Sequence, residues 1–211
     1  MKTEKEVFYK SVNSGYDSLN NFNSKFKSKF QKTTENEVQN IVNITYIETN
    51  LGLMIGGATD KGVCMLEFAD YKLVELQFRQ LTETFNAPLV QRDNPHFHTL
   101  INQLDEYFKG YRRNFEILLD LAGTEFQKRV WISLLKIPYG CTTSYAKQAE
   151  LLGKPSAVRA VANANGKNKI SIILPCHRVI GANGSLTGYG GGIWRKKKLL
   201  ELEQANLMKE K

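Results

Sequence analysis

Residues 142–181, TTSYAKQAELLGKPSAVRAVANANGKNKISIILPCHRVIG, hold two short helical stretches around Gly153-Lys154-Pro155, then an apolar run that ends in proline, cysteine, histidine and arginine. Thr143 or Ser144 can cap the first helix, and Pro155 or Ser156 opens the second. Two short helices joined by a tight glycine turn have the geometry of a helix-turn-helix. The second is unusual, because Ser156, Ala157, Ala160, Ala162, Asn163 and Ala164 surround Arg159 with very small side chains. A helix that reads a wide major groove projects long polar side chains to base edges. Small ones allow the close backbone approach that a narrow minor groove demands. The alternative is an Ala-rich helix packed tightly on a neighbour. A net charge of +8, from 29 basic and 21 acidic residues, favours a polyanionic partner, nucleic acid first, with a merely soluble basic protein as the competing reading. The basic clusters SKFKSKFQK (24–32) and WRKKK (194–198) read as solvated helix faces.

The run Ile170–Leu174 leads from the second helix directly to Cys176 and His177. A lone cysteine is more often a small buried hydrophobe than a nucleophile, so the rest of the chain has to decide. In the terminal helix, GGIWRKKKLLELEQANL (191–207), Glu203 lies four residues after Leu199, three after Leu200 and four before Leu207. It therefore shares their apolar face, where a carboxylate is costly unless paired. His177 can be its partner, directly or through one water. A Glu-oriented histidine can take the proton of Cys176 and leave the thiolate, which is the nucleophile. The competing reading has Glu203 snorkelling from a helix edge and Cys176 inert. Cys64, Cys141 and Cys176 are too few and scattered for a disulfide framework, and their odd count agrees with a reducing compartment. No CxxC or HxxxH pairing is available for zinc, and His96 with His98 has no cysteine beside it, so no metal site is expected.

At 211 residues the chain can build one good-sized core or two small ones. It has no run of about 18 apolar residues and no signal-peptide apolar region at its start, which favours the cytoplasm. Residues 1–40 are polar, with Leu19, Phe22, Phe26 and Phe30 at helical spacing opposite a basic face. From about 41, NITYIET, LGLMIGGAT and GVCMLEFA predict a small antiparallel meander. Helices follow near 70–86 and 94–109, the second with Phe97, Leu100, Ile101, Leu104 and Phe108 on one face and His96 and His98 at its start. NFEILLDL (114–121) reads as a returning strand. Thr124 is a candidate cap for a helix whose apolar face is Phe126, Val130, Trp131, Leu134 and Leu135. The expected fold class is α+β: a small antiparallel-sheet and helix domain, then a mostly helical domain holding the helix-turn-helix and the cysteine.

PCHRV (175–179) resembles the active-site motif of the methylated-DNA–protein-cysteine methyltransferases, the O6-alkylguanine-DNA alkyltransferase family, and RAVANANGKNK resembles that family's DNA-binding helix and hinge. FQKRVWISLLKIPYGCTTSYAKQA and GSLTGYGGGIWRKKKLLELE complete four motifs in order, within a resemblance that spans about 41–207. The resemblance implies a ribonuclease-H-like domain over 41–121 and a catalytic and DNA-binding domain over 122–207. It implies irreversible, single-turnover transfer of a methyl or larger alkyl group from O6 of guanine, and from O4-methylthymine, to Cys176. His177, a water and Glu203 would form the proton relay. Tyr145 would rotate the phosphate and hydrogen-bond the base, Arg159 would fill the place of the flipped nucleotide, and Asn168 would be the hinge. Ser144, Ser156, Ala157 and Ala160 would lie on the DNA, with Val179, Tyr189, Gly190, Gly191 and Ser171 around the guanine pocket. Extrusion of the base makes physical sense, since a thiolate cannot reach O6 in line inside the stack.

No cofactor is implied; the partner is duplex DNA carrying O6-alkylguanine, met by a monomer in the cytoplasm of a bacterial-type cell, at the nucleoid when bound. The chain departs from the family pattern at several places. Asn168-Lys169 stands for Asn-Pro, which should loosen the hinge; Ser171 stands for a pocket proline, Ala162 for a glycine and Cys141 for a glutamate. Residues 1–40 resemble the last helix-turn-helix of AraC-type regulators, as in Ada-type proteins, with the first such unit and the zinc cysteines absent. Two other function classes compete: a damage-recognition or regulatory module without transfer chemistry, against which Cys176 argues, and a cysteine hydrolase, which would need an oxyanion hole.

Overall fold

The computed structural model describes residues 40–69 and 71–209. The AraC-like reading of residues 1–40 lies almost wholly outside them. Three strands, β1 (Val42–Thr49), β2 (Gly52–Ala58) and β3 (Val63–Phe68), form the antiparallel meander. Helix α1 (Tyr71–Phe85) then carries the chain to β4 (Leu89–Gln91), which pairs parallel to β1, so the sheet order is β3-β2-β1-β4. That fourth strand was not expected, and its three residues are too short to carry a period. Both faces of the sheet are covered. Ile44, Ile55 and Met65 pack with Phe78 and Leu81 of α1, whereas Met54, Leu66 and Phe68 join the larger core. All six residues of β3 are therefore buried, and its sequence shows no alternation.

Helix α2 (Pro95–Lys109) starts at an Asn94 cap that accepts from His96 N and ends at Gly110, whose φ of 86° is the left-handed stop that glycine tolerates. Its buried face is Phe97, Leu100, Gln103, Leu104 and Tyr107; Ile101, expected inside, is exposed, and Phe108 is only partly buried. His98 pairs with Asp93 at the surface. Residues 114–121 form no strand, only a single bridge between Leu119 and Val63. The reason lies in β3, whose outer edge is shared. Val63 exchanges bonds with Leu118 and Asp120, while Leu66 exchanges bonds with Lys169 and Ser171. Neither neighbour gets a full ladder.

Helix α3 (Glu125–Leu134) begins with a capping box between Thr124 and Gln127, the kind of cap whose loss costs about 1 kcal/mol. Leu135, expected on its buried face, is exposed. Trp131 reaches across to donate from Nε1 to Ala164 O at 2.7 Å. The helix-turn-helix consists of α4 (Tyr145–Leu151), a 3-10 turn at Pro155–Ala157 and α5 (Val158–Gly166). Gln148 locks it to α3. Its Nε2 donates to Val130 O and Ser133 Oγ, and its Oε1 accepts from Asn165 Nδ2 at 2.6 Å. A 3-10 turn at Cys176–Arg178 follows, then β6 (Val179–Ile180), parallel to β5 (Thr143–Ser144), and the last helix, α6 (Ile193–Met208). Among the described residues no helix is long and apolar enough to cross a membrane.

Candidate active site

The chain reaches Cys176 through two tight turns. Ile173 N donates to Ser171 O at 2.9 Å across Ile172, whose φ is 72°, and Cys176 N donates to Leu174 O at 2.7 Å across Pro175. Both are γ-turns, and the first is the strained, positive-φ kind, here at a buried β-branched residue. Asn168 over-determines this path. Its Oδ1 accepts from Ile170 N, and its Nδ2 donates to Leu174 O at 2.8 Å and to Cys176 Sγ at 3.2 Å. Lys169, where the family pattern has a proline, is tied to the sheet through its carbonyl, which accepts from Leu66 N at 2.8 Å.

Cys176 is half-buried, and burial pushes its thiol up to about 11, against the pull of the Asn168 hydrogen bond. Glu67 on β3 pushes the thiol further up, and the Lys196 ammonium pulls it down. At neutral pH the group is a thiol, so it could act as a nucleophile only with a base to take its proton. His177 is fully buried, with Nε2 2.8 Å from Glu203 Oε1 and with no hydrogen-bond partner at Nδ1. Burial lowers its pKa, with the hydrogen bond to Glu203 opposing, so the ring is neutral at pH 7. An ionised Glu203 only accepts, which places the imidazole proton on Nε2 and leaves the Nδ1 lone pair available.

Glu203 is itself fully buried and saturated with donors. Tyr107 Oη and Gly140 N donate at 2.8 Å, and Arg178 donates from both Nε and Nη2. Burial alone would raise its pKa; the His177 and Arg178 hydrogen bonds and charges outweigh that and hold it down at about 2. Arg178 also donates to Ile137 O at 2.7 Å and stacks on Tyr139. Lys196 is fully buried too, donating to Val179 O at 2.6 Å and Thr187 O at 2.8 Å.

Val179 is buried beside this centre, and the Tyr189 ring stands edge-on 6.5 Å from His177. Ser171 Oγ donates to Glu67 Oε1 at 3.1 Å. Gly190 is exposed, whereas Gly191 is buried, and a Cβ there would lie 2.5 Å from the Phe68 ring. Tyr145 is half-buried and donates to Thr187 O at 3.3 Å, while Ser144 caps α4 through Lys147 N. On the helix-turn-helix, Ser156, Arg159, Ala160 and Asn163 are exposed and Ala157 is partly so. The part of the small-residue face around Arg159 is thus turned to solvent, whereas Ala162 is partly buried and Ala164 is packed in the core. Tyr107, Arg178, Lys196 and Glu67 were not singled out from sequence. A signal existed for two of them. Lys196 shares the stripe of Leu199 and Glu203, and Tyr107 continues that of Phe97, Leu100 and Leu104. Among the described residues no three His, Cys, Asp or Glu side chains converge where a metal ion could sit.

Two family models match the chain in succession: the 6-O-methylguanine DNA methyltransferase ribonuclease-like domain over residues 42–121 and the DNA-binding domain of the same family over 125–205. The methylated-DNA–protein-cysteine methyltransferase of Mycobacterium bovis is 49% identical over 148 residues, covering 69% of this chain and 90% of the relative. The chain belongs to the methylated-DNA–protein-cysteine methyltransferase family. It is an enzyme of DNA repair by direct alkyl transfer. The inducible enzyme of Bacillus subtilis is 44% identical over 133 residues, 63% of this chain and 74% of that one. Among solved structures, the Mycobacterium tuberculosis protein in complex with DNA superposes with a TM-score of 0.67 at 42% identity, over 78% of this chain and 94% of that chain. The Pyrococcus kodakaraensis enzyme, at 24% identity and a TM-score of 0.61, shares the fold.

Proposed function

We propose that Cys176 is the alkyl acceptor and that His177 and Glu203 are its proton relay. The observation that carries this is the buried Glu203–His177 pair at 2.8 Å beside a thiol that burial keeps protonated. His177 Nδ1 takes the thiol proton, directly or through a water. The sulfur pair attacks the alkyl carbon, the carbon–O6 bond breaks with its electrons going to the guanine, and the base is reprotonated. The product is a thioether, whose carbon–sulfur bond offers no easy hydrolysis, so each molecule acts once.

O6-alkylguanine in duplex DNA is the substrate, with O4-methylthymine a second. The exposed face of α5 lies along the minor groove, Arg159 enters the stack as the base leaves it, and Tyr145 meets the base. Asn168 is the hinge, and Val179, Tyr189, Gly190 and Ser171 surround the guanine. The protein works as a monomer in the cytoplasm. Residues 1–40, read as a regulator remnant, add only salt-sensitive attraction to phosphates.

Incubation with a duplex carrying labelled O6-methylguanine, followed by peptide mass analysis, tests the assignment. The label should appear on Cys176 alone, Cys176→Ser should abolish transfer while keeping DNA binding, and Cys64→Ser and Cys141→Ser should stay active. Methyl on Cys64 or Cys141 with Cys176 unmodified would sink it. Binding without any transfer would favour a recognition module instead.

A further inference from the structure

The relay carboxylate is held from the other half of the molecule. Tyr107 lies on α2, 96 residues before Glu203, and is fully buried. Its ring is fixed by Phe108 and Phe115, both with centroids at 5.5 Å, and by Tyr139 at 5.9 Å. The hydroxyl donates at 2.8 Å to Oε1, the same oxygen that receives His177 Nε2 at 2.8 Å and Arg178 Nη2 at 3.0 Å. We propose that Tyr107 is a positioning residue of the proton relay, supplied by the ribonuclease-like domain, which divides Glu203 Oε1 between itself and His177. This rests on the relay reading above.

The physical consequence concerns how strongly Glu203 stabilises an imidazolium. A carboxylate oxygen that accepts four hydrogen bonds, from Tyr107, His177 and both Nε and Nη2 of Arg178, offers less negative charge to each donor. The proton taken from Cys176 then stays on a weakly basic imidazole, ready to return to the departing guanine, and does not pass on to Glu203. Without the phenol, the same oxygen would bind His177 more strongly and make it a stronger base. The other groups facing the pair are Arg178 in the 3-10 turn, Tyr139 before β5, Lys196 on α6, Tyr189 in the pocket loop and Cys176 itself. Tyr107→Phe removes only the hydroxyl and keeps the ring that packs on Tyr139.

The test is the titration of His177 by NMR in the full chain, with the pH dependence of the single-turnover rate alongside. In the wild type the midpoint should lie below the ordinary 6.5, matching an acid limb in the rate. Tyr107→Phe should move midpoint and limb upward together by about one pH unit, the scale of one hydrogen bond to a charged group. Site-specific 3-fluorotyrosine at position 107, a stronger donor of the same shape, should move both the other way. A purely packing tyrosine would lower the melting temperature and leave midpoint and limb unmoved in both variants, which overturns the proposal. A wild type with no acid limb would overturn the relay itself, and with it this inference. Should Tyr107→Phe not fold, the fluorotyrosine protein decides alone, by whether the midpoint falls.

Discussion

Replacing Lys196 by methionine should change how stability depends on alkali. Lys196 is fully buried, and burial pulls its pKa from 10.5 to about 8, with the Cys176 sulfur working weakly the other way. The gap between those two values is about 3 kcal/mol, which the folded protein loses whenever it must hold the ammonium. Between pH 8 and 10.5 the unfolded chain binds more protons than the folded one, so stability rises with pH across that window. Below it the penalty stands in full. The neutral amine keeps two N–H groups, which match the two carbonyls of Val179 and Thr187. Methionine fills similar volume and escapes the penalty, but it leaves the buried Val179 carbonyl without this donor, at about 1–3 kcal/mol, whereas the Thr187 carbonyl still accepts from Tyr145. The difference in stability between wild type and variant should therefore widen by about 3 kcal/mol from pH 7 to 10.5. Burial raises the Cys64 thiol, which pulls stability down in alkali, but it does so in both proteins and cancels in the comparison, whereas the Cys176 thiol is raised in both and opposed by the Lys196 ammonium in the wild type alone. Urea titrations across the window, read by tryptophan fluorescence, would measure it. Parallel curves for the two proteins would show that Lys196 is not the titrating group.

Glu203→Gln should flatten the acid side of the stability curve. The folded carboxylate titrates at about 2 against an ordinary 4.5, so its stabilisation, on the order of 3 kcal/mol, is complete above 4.5 and lost as pH falls towards 2; acid denaturation of the two proteins measures the difference. Arg159→Ala should slow repair of duplex DNA more than reaction with the free base O6-benzylguanine, which needs no extrusion, and equal losses on both would contradict the finger role. Gly191→Ala should destabilise the fold by about 1–3 kcal/mol, because its Cβ would meet the Phe68 ring at 2.5 Å, whereas Gly190→Ala meets only Glu67 Oε2, at 3.8 Å, and should be neutral in the same denaturation assay.

The sequence made the helix-turn-helix and the Glu203 stripe legible because both rest on local periodicity. Ser144 and Thr124 cap the helices they were expected to cap. What escaped depends on long-range packing. NFEILLDL has the composition of a strand, but whether it forms a ladder is decided by the competing segment at Ile170, 50 residues later in the chain, for the same edge of β3. Ile101 and Tyr107 both fall near the apolar stripe of α2, and propensity favours burying the isoleucine. The buried carboxylate opposite selects the tyrosine instead, since a phenol can fill the space and also donate. Lys196 sits among four consecutive basic residues, Arg195 to Lys198, and reads as solvated. Its place on the stripe of Leu199 and Glu203 turns it inward, and the two carbonyls that converge on it satisfy the buried ammonium.

The arrangement around Cys176 fits a protein that is consumed by a single reaction. A standing thiolate is open to every electrophile and oxidant it meets. A single-use acceptor gains from the opposite. With its pKa pushed up to about 11, Cys176 holds only about one thiolate in ten thousand molecules at pH 7, and stray electrophiles or oxidants find little nucleophile to attack. On the proposed relay, reactivity is created where the alkylated base is held, by a neutral His177 that accepts the proton and a Glu203 that keeps the ring turned the right way. The six hydrogen bonds that Tyr107, Gly140, His177 and Arg178 direct at Glu203 come from both halves of the fold. Their combined effect is to fix one charge in one orientation, so that the thiol is activated by geometry at the moment of transfer and stays quiet before it.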